Sequence, residues 1–403
     1  MLHLLYFCSM QTLKIQSFKN KRVLIRVDFN VPVNDSQEIT DISRISAAIP
    51  TIERVIENGG IPVIISHLGR PKRKDSSLSL LPIAKKLAQI LNKNVIFLDD
   101  CIGEKVKSKL SNSTYGEVYL LENLRFYTEE TSGDVVFAKK LASLADAYVN
   151  DAFGTSHRAH ASTYGVSQFF KKHKYCGLLL EKEVSSLNSV FKNPSRPFAA
   201  IIGGAKISSK IDVLMSLLKS VDKLIIGGGM AYTFIAAKKG CIGSSLVEDN
   251  KIKAALEIIK DAKKNNVKLI LPIDSVNSTS FNDQSASSVS AINEIPLNEM
   301  GLDIGPKSID LFKKEILSSK TILWNGPMGV FEFDNFSKGT QSVGESICES
   351  TSKGAFSLVG GGDSIAAIKK FNLTDGISYI STGGGAMLEY LEGKELPALK
   401  ALL

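Results

Sequence analysis

Short apolar runs alternate with longer amphipathic stretches along this chain. In the first half, residues 23–27, 61–66, 95–98, 118–121 and 147–149 are mostly aliphatic or β-branched, and turn residues bound each run. Runs of that length and make-up predict buried strands. Between the first two, Ile45, Ala48, Ile49, Ile52, Val55 and Ile56 recur at helical spacing. They predict an amphipathic helix over 42–58, ended by Gly59-Gly60, with another over 81–91. The second half repeats the scheme. Residues 198–202, 223–226, 268–271, 321–324, 356–359 and 378–380 predict strands, and Ile207, Ile211, Leu214 and Leu218 mark a helix after the first of them.

Strands that alternate with helices predict an α/β architecture, with parallel sheets covered on both faces. The length supports two doubly wound, Rossmann-like domains, one over 1–176 and one over 177–390. Residues 176–196 predict a connecting helix followed by the breaker Asn193-Pro194-Ser195-Arg196-Pro197. Residues 274–299 are rich in Ser and Asn and poorly periodic, which predicts a long surface excursion.

Four Gly-rich turns, all in the second half, each follow an apolar run and open a helix-like stretch. They are Gly203-Gly204-Ala205-Lys206, Gly227-Gly228-Gly229, Gly360-Gly361-Gly362-Asp363 and Gly383-Gly384-Gly385. Glycine lets backbone N–H groups approach phosphates at a helix N-terminus. The first half carries Arg and His at the corresponding strand ends, and arginine forks grip phosphates and carboxylates. Two anion sites of different kinds are therefore expected.

Composition narrows the classes. The 403 residues are 44% hydrophobic and 22% charged, ordinary for an enzyme, with a net charge of +8. The basic runs Lys72-Arg73-Lys74 and Lys171-Lys172 are too short for a nucleic-acid footprint, so the charge points to small anionic ligands. The cysteines, Cys8, Cys101, Cys176, Cys241 and Cys348, are scattered and odd in number, which predicts free thiols in a reducing compartment. Residues 1–9 are apolar but short and lack a basic start, so no signal peptide is expected, and Met10 stands as an alternative start. No apolar run reaches transmembrane length. A cytoplasmic protein with no nucleic-acid or membrane partner is expected.

Four strand-end clusters in the first half carry candidate chemistry. Arg26-Val27-Asp28-Phe29-Asn30 puts Asp28 and Asn30 just past a strand, where ligands of doubly wound sheets bind. Turn chemistry alone also explains an Asp and an Asn there. Ser66-His67-Leu68-Gly69-Arg70 offers a His and an Arg three apart, a plausible anion clamp, although a lone His is commonly structural. Glu122-Asn123-Leu124-Arg125 and the run Asn150 to His160, which includes Arg158, complete the set, with Arg44 on the first helix.

In the second half, Lys206 and Lys210 are four apart after a Gly turn. On one helix face near an N-terminus they repel each other and oppose the dipole, penalties that a bound polyphosphate reverses. Asp363 reads as an N-cap or as a Mg²⁺ ligand beside phosphates. Trp324-Asn325-Gly326-Pro327 through Glu332 reads as a nucleoside pocket with Glu332 on a ribose hydroxyl, or as core packing around Trp324. Walker A, G-x-S-x-G and H-E-x-x-H patterns are absent, as is G-x-G-x-x-G after a strand. That last absence weighs against a dinucleotide-dependent dehydrogenase. Discrete His/Arg loops weigh against a simple polyanion binder.

In order along the chain, RVDFNVP, SHLGRP, ENLRF, VNDAFGTSHRAH, GGAKISSKI, GGGM, LDIGPKS, WNGPMGVFE, GGGDS and STGGGA resemble the phosphoglycerate kinase family from about residue 18 to residue 399. The resemblance implies two doubly wound domains joined by a helix, with a C-terminal tail, residues 391–403, returning to the first. It implies reversible phosphate transfer between ATP and the carboxylate of 3-phosphoglycerate, giving ADP and 1,3-bisphosphoglycerate, with Mg²⁺. Carried over by motif, the acceptor contacts Asp28, Asn30, Arg44, His67, Arg70, Arg125 and Arg158. The nucleotide contacts Gly204, Lys206, Lys210, Gly228, Gly301, Asn325, Glu332, Gly361, Gly362, Asp363 and Ser364. Arg44, Lys206 and Lys210 act on the transferred group, and Asp363 binds Mg²⁺, largely through the nucleotide phosphates. The nine-residue N-terminal extension, the Ser/Asn-rich 275–290 stretch and Met387 in the last Gly motif depart from the family pattern.

Overall fold

The computed structural model describes residues 10–13, 16–34, 36, 38–192 and 194–403. The expectations for residues 1–9 and for Asn193 lie outside them. The chain divides into two compact units, Met1–Ser185 with Glu395–Leu403, and Ser186–Lys394.

The first unit is built on six parallel strands: β1 (Arg22–Arg26), β2 (Ile61–Ile65), β3 (Val95–Leu98), β4 (Val118–Leu121), β5 (Ala147–Asn150) and β6 (Lys174–Cys176). Their order is β3-β4-β2-β1-β5-β6. Val23, Leu24 and Ile25 are fully buried, because helices cover both faces of the sheet. Helix Ser43–Glu57 buries Ile45, Ala48, Thr51, Ile52 and Val55, the stripe its period predicts. β6 escaped the sequence reading because its apolar run is only Tyr175-Cys176 before Gly177. Lys174 Nζ donates to the Ala401 carbonyl at 2.8 Å, and the Ala398 amide donates to the Ser156 carbonyl at 3.1 Å. The expected return of the tail to the first unit is thus present.

The second unit holds β7 (Phe198–Ile202), β8 (Lys223–Ile226), β9 (Cys241–Ile242), β10 (Lys268–Ile270), β11 (Asp274–Ser278), β12 (Ser287–Ala291), β13 (Glu294–Ile295), β14 (Met300–Ile304), β15 (Thr321–Asn325), β16 (Phe356–Gly360) and β17 (Tyr379–Ser381). Six of them form a parallel sheet in the order β10-β8-β7-β15-β16-β17. The expected surface excursion over 274–299 is corrected: β11 lies between β12 and β14 in an antiparallel sheet. Its alternation was obscured because the strand DSVNS buries polar residues, which find partners inside. Ser275 Oγ lies 2.9 Å from Tyr232 Oη, and Asn277 Nδ2 donates to Ser290 Oγ at 2.9 Å.

Both parallel sheets reverse their winding beside the central strand. After β4 the chain crosses to the other side of β1, and after β14 it returns to place β15 beside β7. The carboxyl ends at such a switch point are where open α/β sheets bind ligands. Asp28 follows β1, Gly203 follows β7, and Gly326 follows β15.

Candidate active site

In the first unit the strand-end loops are stitched together by side chains that are themselves held. Ser66 Oγ accepts from the Phe29 amide at 2.9 Å and donates to the Val27 carbonyl at 2.8 Å. Buried Asn123 accepts from the amides of Leu68 and Arg125 and donates to the carbonyls of Leu68 and Leu78. Asn30 Oδ1 accepts from the Gly69 amide at 2.8 Å. The loops after β1, β2 and β4 therefore form one rigid rim.

On that rim Arg44 Nη1 donates to Asp28 Oδ2 at 3.0 Å and to the Asn30 carbonyl at 3.2 Å. Arg125 Nη1 donates to the Gly69 carbonyl at 2.6 Å. Arg70, Arg125, Arg158 and His160 line a cleft of about 460 Å³. All seven residues expected to contact the acceptor lie on the loops and helix at this end of the sheet. Arg26 and His160 were not predicted as site residues. Arg26 is fully buried at the end of β1, donating to Ser162 Oγ at 2.8 Å and, through Nη2, to His67 Nδ1 at 3.2 Å. A guanidinium only donates, so neutral His67 keeps its proton on Nε2. A buried Arg in an otherwise apolar strand was the available signal.

The cleft has an excess of positive charge. Burial, then Arg26, Arg125 and Arg44, pushes the pKa of His67 far down. Burial and the same kind of neighbours push His160 down to about 3, although buried Glu130 sits 3.8 Å from its Nδ1. Burial and the arginines Arg26 and Arg158 depress even Arg125, to about 10. Arg125 Nε, His157 Nδ1 and His160 Nδ1 are buried without a partner. Orphaned nitrogens among mutually repelling cations mark a site short of an anion.

In the second unit Gly204, Gly228, Gly301, Glu332 and Asp363 line a pocket of about 310 Å³. Gly228 has φ +69°, and a Cβ there would lie 2.6 Å from the backbone N and O of Gly204. A Cβ on Gly301 would lie 2.0 Å from Tyr232 Oη. Any side chain at either position would strike these neighbours. Lys210 Nζ bonds Asn325 Oδ1, Asn325 Nδ2 donates to the Gly360 carbonyl, and the Gly326 amide donates to Ser364 Oγ at 2.6 Å. Burial lowers the pKa of Lys210 and nearby Asp363 opposes the shift. Helix Gly362–Lys370 begins beside the pocket with Asp363 in its first turn; Gly361, at φ +97°, is the N-cap. Met387, the departure in the last Gly motif, is buried against Gly360, where a Cβ would lie 2.3 Å from its sulfur.

Two expectations are corrected here. Lys206 and Lys210 do not share a helix face: a 3-10 turn, Ile207–Ser209, separates them, and the α-helix begins at Ile211. Lys206 is exposed and its charge is felt by Glu248. The segment expected as a surface excursion also supplies the pocket: Phe281, at the turn between β11 and β12, lines it with Leu246. The Phe281 ring packs 5.0 Å from that of Phe333. A polar, serine-rich context hid that aromatic.

The comparisons with known proteins agree over nearly the whole chain. The family model described as phosphoglycerate kinase matches residues 13–394. A phosphoglycerate kinase of Porphyromonas gingivalis is 49% identical, covering 97% of this chain and 99% of its own. One of Nostoc punctiforme is 50% identical, covering 98% of each. The solved phosphoglycerate kinase of Coxiella burnetii superposes with a TM-score of 0.88 at 41% identity, over 98% of each chain. That of Pyrococcus horikoshii gives 0.84 at 32%, again over 98% of each.

Proposed function

The chain belongs to the phosphoglycerate kinase family, and from that premise we propose which residues perform the family's reaction. That reaction is reversible transfer of phosphate between ATP and the carboxylate of 3-phosphoglycerate. The basic cleft of the first unit holds the acceptor. Arg70, Arg125 and Arg158 take its phosphate, and Asp28, Asn30 and His67 orient its hydroxyl and carboxylate. The pocket of the second unit holds the nucleotide. Its base lies between Phe281 and the glycine backbones, Glu332 takes the ribose, and Lys206, Lys210, Asn325 and the turn Gly361 to Ser364 surround the phosphates. The observation that carries this reading is the cluster of Arg70, Arg125 and Arg158 around one cleft, with Arg125 Nε buried and unpartnered, an arrangement that suits an anion.

The attacking carboxylate is already ionised at pH 7, so no general base is required. Catalysis then consists of positioning and of stabilising charge on the moving phosphoryl group. Arg44 and Lys206 supply charge, and the start of helix Gly362–Lys370 presents backbone N–H groups. Asp363 is exposed at the pocket edge, and a lone carboxylate oxygen suits Mg²⁺, which is commonly held by one or two carboxylates plus phosphates. When bound, Mg²⁺ would neutralise phosphate charge there. We further propose a cytoplasmic monomer without nucleic-acid or membrane partners, divided functionally at residues 176 and 177. Among the described residues no helix is long and apolar enough to cross a membrane.

A coupled assay with 3-phosphoglycerate, ATP and Mg²⁺ tests the reading. Turnover is expected, and none with both ligands shown to be bound would overturn it. Asp363→Ala is expected to cripple Mg²⁺-dependent turnover while leaving 3-phosphoglycerate binding nearly intact. Equal loss of both ligands in calorimetry would remove Asp363 from the metal.

A further inference from the structure

Helix Met230–Ala237 joins two cavities of the second unit. Its N-terminal end gives Gly229 and Tyr232 to the nucleotide pocket, and its C-terminal end gives Ile235 and Lys238 to another cavity of about 730 Å³. The two have no lining residue in common. The second lies beside β10, which among the described residues is an edge strand of the parallel sheet. Its wall includes Ile259, Leu269, Leu271 and Ile273. Ile273 is 49% exposed, while its backbone amide is held by Ser308 Oγ at 2.8 Å.

Three exposed lysines, Lys238, Lys239 and Lys263, also line this cavity, and no Asp or Glu is among its lining residues. Among the described residues none of the three has an ion-pair or hydrogen-bond partner for its side chain. Lysines near helix ends commonly offset the dipole. That role needs no apolar cavity beside them. Lys239 moreover adopts φ +64°, a left-handed conformation that favours glycine over lysine. An apolar wall with an unbalanced cationic rim is complementary to a molecule with an apolar body and one negative end.

We propose that this cavity binds a small anionic amphiphile, a monocarboxylate with a medium-length alkyl or an aromatic body. The body lies against Ile259, Leu269, Leu271 and Ile273, and the carboxylate meets the three lysines. Cys241, an exposed thiol at the cavity edge, reports occupancy.

Titration calorimetry of the full chain with decanoate, below its micellar concentration, tests this. One saturable site is expected, undiminished by saturating ADP and Mg²⁺. Decyltrimethylammonium, with a tail of nearly the same length and the opposite charge, is expected not to bind. K238E/K263E is expected to weaken decanoate at least about tenfold with kcat unchanged. Ile273→Asp, at a half-exposed position, provides a second variant with the same expected loss. Alkylation of Cys241 by iodoacetamide, followed by peptide mass spectrometry, is expected to slow when decanoate is bound. Absence of saturable binding would overturn the proposal, as would equal binding of the cation or unchanged affinity in both variants. Bound decanoate that leaves Cys241 alkylation unaltered would do the same, placing the ligand elsewhere. The phosphoryl-transfer assignment is read by turnover alone, so the two stand or fall separately.

Discussion

At the scale of single residues, the roles proposed for the basic cleft separate groups that bind from groups that respond to charge appearing during transfer. Arg44 is tethered to Asp28 and to the Asn30 carbonyl, and about a third of its side chain is exposed. A tethered guanidinium needs no reorganisation when negative charge develops beside it. Arg44→Ala is expected to lower kcat by about 10²–10³ with little change in the dissociation constant for 3-phosphoglycerate. An unchanged kcat with a raised KM would instead make Arg44 a ground-state binder. His160 makes a different kind of prediction. Its folded pKa, about 3, lies below the ordinary value of 6.5, because burial and the arginines Arg26, Arg125 and Arg158 disfavour its charged form. The unfolded chain therefore binds the extra proton first. The contribution of neutral His160 to stability is present above 6.5 and is lost as pH falls from there toward 3. His160→Gln keeps a neutral polar group and removes the titration. Its melting temperature is expected to fall less than the parent's between pH 7 and pH 4. Parallel curves would mean that His160 does not fold neutral.

At the scale of elements, periodicity revealed what burial on both faces makes obvious and missed what polar partners conceal. β1, β2, β7 and β8 are continuous apolar runs and were readable to within a residue. β11 and β12 were not, because DSVNS and SSVSA read as loop composition until their hydroxyls and amides are seen paired across the hairpin. The same limit explains the missed pocket residue. Glycines announce a phosphate cradle by type, whereas Phe281 has meaning only through where the hairpin delivers it. Spacing misled at Lys206 and Lys210, since four residues apart implies one face only on a continuous α-helix. Arginine and histidine positions at strand ends were legible, but buried Arg26 became a site residue only through its bond to His67. The hairpin can be tested directly. Phe281 is 62% exposed, so Phe281→Ala is expected to leave the melting temperature unchanged. If the ring stacks on the base, worth about 1–3 kcal/mol, the nucleotide KM should rise by about tenfold or more. An unaltered nucleotide KM would place the base elsewhere.

At the scale of the whole molecule, the basic cleft proposed for the acceptor belongs to one unit and the glycine-lined pocket proposed for the nucleotide to the other. In-line transfer needs the reacting atoms within about 3–3.5 Å of each other. Water at that junction would intercept the phosphoryl group, so turnover requires the two ligands to be brought together and water to be excluded. Three places in the chain are expected to bend. One is Gly177, where a Cβ would lie 2.2 Å from Asp151 Oδ1 and where that carboxylate accepts from the Leu180 amide at the start of helix Leu178–Phe191. The second is the stretch from Pro194 to Pro197 after that helix. The third is the turn at Gly383 to Gly385, where Gly384 has φ +47° and open space around its Cβ position. Each ligand alone is expected to compact the protein partly in small-angle scattering, and both together fully. Closure by such a mechanism also predicts that Gly177→Ala lowers kcat while each ligand still binds, since the added methyl strikes Asp151 and not either site. A radius of gyration in the ternary complex equal to that of the free protein, with both ligands shown to be bound, would rule out ligand-driven closure.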